Sequence, residues 1–166
     1  MTLLTPSTAG YVGEAAKLLR ANSQRVSVAE SCTGGLLAGA LTSIAGSSGF
    51  FSQGLITYSN DAKTRLLAVD RELLERHGAV SAPACEAMVR GLLEHFEDDY
   101  AVAISGIAGP GGGTAEKPVG TVFIAWANRT TCRSDRFCLS GDREAIRAQA
   151  VELALQGLIE VIKNTA

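Results

Sequence analysis

The chain has no apolar run near the roughly 18 residues that a membrane-spanning helix requires, and its amino end lacks the basic-then-apolar pattern of a secretory leader. A soluble protein of the cytoplasm is therefore expected. Cysteine is sparse: Cys32, Cys85, Cys132 and Cys138 form no C-x-x-C pair, and neither histidine, His77 or His95, is close to them in sequence. Such spacing speaks against a structural zinc site and leaves buried or free thiols, with no metal, as the expectation. Nor is there an excess of charge. Fifteen Lys and Arg stand against seventeen Asp and Glu, a formal net charge of -2, with no basic run. Neither nucleic acid nor an anionic membrane surface is an expected partner.

What is present suits one packed core. Of 166 residues, 46% are hydrophobic and 19% charged, a balance and a length that fit a single domain over residues 1–166, with no repeat, linker or low-complexity tract. Helical spacing of Val12, Ala15, Ala16, Leu18 and Leu19 predicts an opening helix at about residues 6–21. Residues 25–29 alternate as a short strand, and Thr33-Gly-Gly leads from it into a helix carrying Leu36, Leu37, Ala40 and Leu41. A second strand is expected over residues 54–58, followed by a helix capped at Asn60 and Asp61 with Lys63 in its first turn. A short helix from Asp70 to Gly78 and a longer one from Ser81 and Pro83 to about Phe96 follow. Residues 100–104 are apolar throughout, as in a central strand covered on both faces. Residues 119–127 and 132–139 read as a hairpin joined across Asn128 and Arg129, and Asp142 caps a final helix. This order predicts an α/β fold: a three-layer α/β/α sandwich with a mixed, mostly parallel sheet of about five strands, one of them antiparallel.

Two glycine segments follow predicted strands, where open α/β sheets place their ligands. Glu30-Ser-Cys-Thr-Gly-Gly35 sets Ser31 in a turn at a helix amino terminus, suited to a nucleophile beside oxyanion donors or to a phosphate contact. An ordinary helix cap with a tight turn would use the same residues. Ser105-Gly-Ile-Ala-Gly-Pro-Gly-Gly-Gly-Thr114 is either a backbone cradle for a ligand or a flexible surface loop. It matches neither a P-loop nor a dinucleotide fingerprint. His77 and His95 read as surface residues, so Lys63 is the better candidate to take a proton from Ser31, provided burial lowers its pKa. Tyr58, at the expected strand end, could orient either group. Arg143 and Arg147 lie one helical turn apart and could grip a phosphate together, or pair with Asp142 and Glu144. Trp126 and Phe123 read as core or interface residues.

The ordered set Glu30-Ser-Cys-Thr-Gly-Gly35, Gly46-Ser-Ser, Thr57-Tyr-Ser-Asn-Asp-Ala-Lys63, Gly78-Ala-Val-Ser81, Ser105-Gly-Ile-Ala-Gly-Pro110 and Lys117-Pro-Val-Gly120 closely resembles the carboxy-terminal domain family of the competence/damage-inducible protein CinA, here in its stand-alone form. The resemblance implies a three-layer α/β/α fold, no metal or other cofactor, and hydrolysis of the carboxamide of nicotinamide mononucleotide to nicotinic acid mononucleotide and ammonia. It implies that Ser31 attacks the amide carbon, that Lys63 is the base, and that Tyr58 orients them. The N–H groups near Thr33, Gly34 and Gly35 would stabilise the oxyanion, with Glu30 in the same segment. Ser105, Gly106, Ala108, Gly109 and Gly111 would hold the nucleotide, and Arg143 or Arg147 its phosphate. Gly111 stands where many relatives carry an acidic residue. A non-catalytic nucleotide-binding module of the same fold is the alternative reading. The small size and apolar composition lead to the expectation of a homodimer.

Overall fold

Helix α1 (Pro6–Ala21) starts where Pro6 fixes the first turn and Thr5 Oγ1 accepts the Thr8 N–H at 3.1 Å, in a computed structural model that describes residues 5–165. The extreme ends of the expected domain, residues 1–4 and 166, lie outside the described residues. After α1 come β1 (Val26–Glu30), α2 (Leu36–Leu41), a short 3-10 turn at Ser47–Gly49, and β2 (Phe51–Ile56). Three helices follow, α3 (Asn60–Leu67), α4 (Arg71–His77) and α5 (Ala82–His95), then β3 (Tyr100–Gly106), β4 (Thr121–Asn128), β5 (Cys132–Cys138) and α6 (Arg143–Thr165).

The sheet runs β2-β1-β3-β4-β5. The β1 strand pairs in parallel with both β2 and β3, while β4 is antiparallel to β3 and to β5, so β4 is the one reversed strand. Helices α1, α2 and α6 cover one face through Val12, Leu19, Leu37, Leu41, Leu155 and Leu158. The other face is covered by α3, α4 and α5 through Leu67, Leu74, Met88, Val89 and Leu92. The expected α/β/α sandwich is therefore present. Along β3 the large side chains Tyr100, Val102 and Ile104 point to the first face, and the small ones, Ala101 and Ala103, to the second. Small residues there let α5 pack close to the sheet. Each large aliphatic side chain sealed in these layers contributes about 1.5–3 kcal/mol.

Several local expectations shift. The β1 strand is buried at every position, Ser27 included, because helices cover both faces; its polar and apolar alternation does not report a solvent side. The β2 strand ends at Ile56, which leaves Tyr58 in the following loop. The cap of α3 is Ser59, whose Oγ accepts the Ala62 N–H at 3.0 Å, and not Asn60 or Asp61. In the hairpin, Asn128 still belongs to β4, and its Oδ1 accepts the N–H groups of Thr130 (2.9 Å) and Thr131 (2.7 Å), which sets the turn one residue later than expected.

This topology decides where chemistry can sit. The parallel strands β1, β2 and β3 end side by side, with Glu30 in register with Ile56 on one side and Ile104 on the other. From β1 the chain goes to β2 on one flank and later returns to β3 on the other, so β1 is the switch point at which open α/β sheets form a crevice. Ser31 is the first residue beyond it.

Candidate active site

The Ser31 N–H donates to Ile104 O at 3.0 Å, which holds its backbone on the sheet. Gly34 N–H then donates back to Ser31 O at 3.1 Å and closes a turn through Gly34 (φ 57) and Gly35 (φ 98), left-handed conformations that favour glycine. Glu30 lies beneath this turn, 1% exposed, and its carboxylate accepts the N–H groups of Gly35 (3.1 Å), Leu37 (3.1 Å) and Ala38 (2.8 Å). The amino end of α2 is thus neutralised by the chain's own carboxylate. Glu30 is held inside the protein and does not face a ligand, and Gly34 and Gly35 have already given their N–H groups away. Among the described residues, the N–H groups of Cys32 and Thr33 have no acceptor in another residue, so the N–H groups left open in this turn lie at 32–33 and not at 34–35.

Lys63, near the start of α3, is fully buried. Its Nζ donates to Thr57 O at 2.7 Å and stands 3.4 Å from Ser31 Oγ. Burial pushes its ammonium below the ordinary lysine value. Two thiols move the other way: burial pushes Cys32 up to about 11 and Cys85 up to about 12. Burial thus disfavours the thiolate at both cysteines, the form in which a thiol attacks. Among the described residues, the buried hydroxyls of Thr33, Thr57 and Thr121 find no partner.

Tyr58 forms no hydrogen bond to Ser31 or Lys63 among the described residues. It is 60% exposed, and its hydroxyl accepts from Arg143 Nη2 at 3.2 Å. The group that orients Lys63 is the Thr57 carbonyl, a backbone atom with no mark in the sequence. Arg143 Nη1 donates to Gly109 O at 2.8 Å, so its guanidinium spans from the β2–α3 loop to the glycine segment. Arg147 reaches elsewhere: Nε donates to Cys32 O at 3.0 Å and Nη2 to Thr33 O at 2.9 Å. Neither arginine forms a salt bridge with Asp142 or Glu144 among the described residues. The spacing that suggested one shared grip instead gives two separate tasks.

The glycine segment divides as well. Ser105 is buried and donates to Ala79 O at 2.7 Å, tying the end of β3 to the segment before α5. A Cβ on Gly106 would lie 2.8 Å from a Val122 methyl and 3.1 Å from Cys32 Sγ, so that glycine admits the Ser31 turn against β4. Ala108 is packed in the core beneath. Gly109 (φ 78) backs on Val119, and Gly111 is open to solvent with nothing close to it. Lys117 anchors the far end of the loop, donating to His77 O at 3.0 Å. His95 Nδ1 lies 2.7 Å from Gly91 O, within its own helix, so the histidines stay outside the site. No group of His, Cys, Asp or Glu suited to a metal ion occurs among the described residues.

Fold and site together define a class, an α/β/α sandwich with a partly exposed serine beside a buried lysine at the carboxyl edge of its parallel strands. The chain belongs to the CinA C-terminal domain family, whose model matches residues 9–162. It is 52% identical over 159 residues to the nicotinamide-nucleotide amidohydrolase PncC of Escherichia coli K12, covering 93% of each chain. To a CinA-like protein of Geobacter sp. M21 it is 49% identical over 143 residues, but it spans only 34% of that longer protein's length. The crystal structure of the competence/damage-inducible protein CihA from Agrobacterium tumefaciens superposes with a TM-score of 0.94 at 42% identity, covering 97% of this chain and 99% of that one. The competence damage-inducible protein A (ComA) of Klebsiella pneumoniae gives 0.92 at 40% identity, covering 96% and 99%. No helix among the described residues is long and apolar enough to cross a membrane.

Proposed function

We propose that this protein hydrolyses the carboxamide of nicotinamide mononucleotide to nicotinic acid mononucleotide and ammonia, with Ser31 as nucleophile and Lys63 as base. The observation that carries the reading is the pair itself: a fully buried lysine whose Nζ is 3.4 Å from the Ser31 hydroxyl. A lysine serves as a base only when neutral, and burial favours that form. One N–H of the neutral amine is engaged by Thr57 O, and its lone pair is left for the serine proton.

Ser31 Oγ attacks the amide carbon as its proton passes to Lys63 Nζ. The N–H groups of Cys32 and Thr33 hold the negative oxygen of the tetrahedral intermediate. Collapse breaks the C–N bond, and the proton on Lys63 leaves with the nitrogen as ammonia. A water then attacks the acyl-serine and passes its proton to Lys63, which returns it to Ser31 Oγ as the acid is released. Arg143 is the phosphate contact in this account, because its guanidinium lies at the mouth on neutral acceptors alone, Gly109 O and Tyr58 Oη. The unit spans residues 1–166, works in the cytoplasm, and pairs as a homodimer through the edge strand β2 and α3, where Ile56, Tyr58 and Leu66 are exposed.

An ammonia assay over a panel of nicotinamide mononucleotide, nicotinamide riboside and free nicotinamide tests the reading. The nucleotide is expected to be the best substrate, and Arg143→Ala to raise KM about tenfold for the nucleotide alone, the scale of one charge-assisted contact. Release from a different amide would reassign the substrate. Nucleotide binding with no release would make the chain a binding module.

A further inference from the structure

In a trans peptide the C=O of one residue and the N–H of the next point in opposite directions, so whatever fixes the carbonyl also aims the N–H. The Ser31–Cys32 and Cys32–Thr33 peptides are both trans. Their two N–H groups are the ones beside Ser31 without acceptors in another residue among the described residues, and both carbonyls are tied down. Ser31 O accepts the Gly34 N–H at 3.1 Å, and Cys32 O accepts Arg147 Nε at 3.0 Å. The second prong of the fork, Nη2, takes the next carbonyl, Thr33 O, at 2.9 Å, and so fixes the peptide whose N–H is the one given by Gly34. One guanidinium therefore controls two consecutive peptide planes of the turn.

We infer that Arg147 is a positioning residue: it aims the Thr33 N–H at the oxyanion and strengthens it by drawing electron density onto Cys32 O. A cation on a carbonyl polarises the whole amide, making its N–H a better donor at the other end. The fork geometry is what this needs, because two carbonyls on successive residues must be held at once. Arg147 reaches the turn from the second turn of α6, while Glu30 holds the same turn from below through Gly35, Leu37 and Ala38. The turn is thus clamped by a cation on its carbonyls and by an anion on the Gly35 N–H and the first turn of α2. These carbonyls take the Nε–H and one Nη2–H of Arg147, two of its five donors. This inference rests on Ser31 being the nucleophile, as proposed above.

Two readouts separate positioning from phosphate binding. Arg147→Met and Arg147→Lys are assayed with nicotinamide mononucleotide and with the phosphate-free riboside. Aiming an oxyanion donor predicts that Arg147→Met loses about 10- to 100-fold in kcat on both substrates, below the loss from deleting a donor outright, with KM within about twofold. Arg147→Lys keeps the charge and one prong; it is expected to fall between, and it serves if the methionine variant does not fold. A loss seen only with the phosphorylated substrate and carried by KM would overturn the inference. The second readout needs no amide substrate. A fluorophosphonate labels Ser31 by forming an Oγ–P bond with loss of fluoride, its phosphoryl oxygen seated on the same N–H donors, and intact mass follows the rate. Labelling of Arg147→Met is expected to slow by a similar factor. Equal labelling in variant and wild type would overturn the inference while leaving Ser31 as nucleophile. Neither labelling nor ammonia release by the wild type would overturn both.

Discussion

Lys63 is fully buried and forms no salt bridge among the described residues, a placement that costs free energy whenever the amine is charged. Because burial lowers its pKa and the neutral form is the base, kcat should rise with pH and level off below the ordinary lysine value of 10.5. A kcat profile checks this, and Lys63→Arg, which stays protonated, should be inactive at every pH. Stability follows the same sign. Between the lowered folded value and 10.5 the unfolded chain holds more protons, so stability should rise with pH across that window, and Lys63→Met should flatten the rise in denaturant titrations. Glu30 makes a different prediction. Glu30→Gln places an amide against three N–H donors, and should cost about 2–3 kcal/mol by chemical denaturation as well as lowering kcat. At this scale the sequence marks Ser31, Lys63 and the two arginines by type and spacing. It does not mark who takes which backbone group. The Gly34 and Gly35 N–H groups were open candidates until Glu30 and Ser31 O claimed them, and Thr57 acts through a carbonyl that every residue type carries.

Among the elements, α6 matters most to the site, because it brings both Arg143 and Arg147 to the carboxyl edge of the sheet. It rests on Trp126 of β4, whose indole N–H donates to Ala154 O at 2.8 Å, and a side chain at Gly157 would collide with the same ring. Gly157→Ala should therefore cost about 2–3 kcal/mol in thermal or chemical unfolding and lower kcat beyond the effect on folded fraction, by lifting α6 and with it the Arg147 fork. Unchanged activity at permissive temperature would disconnect the helix seat from the site. Helices α4 and α5 were legible to their boundaries, since Asp70, Gly78 and Ser81 are caps and Pro83 sits in the first turn of α5, all of them local signals. The cap of α3 was less so: Ser59, Asn60 and Asp61 are all good caps in a row, and the end of β2 selects among them. In β1 the alternation at Ser27 marks a strand, but the cover of both its faces by helices is a long-range fact that five residues do not carry.

For the whole molecule, the strand order places three chain segments at one crevice: Ser31 after β1, Lys63 after β2, and the glycine segment after β3. The order of elements along the chain was enough to foresee the α/β/α class and the reversed strand, while the convergence depends on β1 lying between β2 and β3. Since nucleophile, base and oxyanion donors all come from the chain in this account, ammonia release should persist after chelator treatment. The proposed pairing through β2 predicts dimer mass in sedimentation velocity, with Ile56→Arg giving monomers; a wild-type monomer would leave Ile56, Tyr58 and Leu66 as no more than the rim of the mouth. The most direct test of the central claim is ammonia release from nicotinamide mononucleotide by Ser31→Ala, beside wild type and with folding checked by circular dichroism. The account predicts that the variant binds the nucleotide and releases no ammonia. Turnover by Ser31→Ala near the wild-type rate would contradict it, because the hydroxyl 3.4 Å from Lys63 would then have no part in breaking the amide bond.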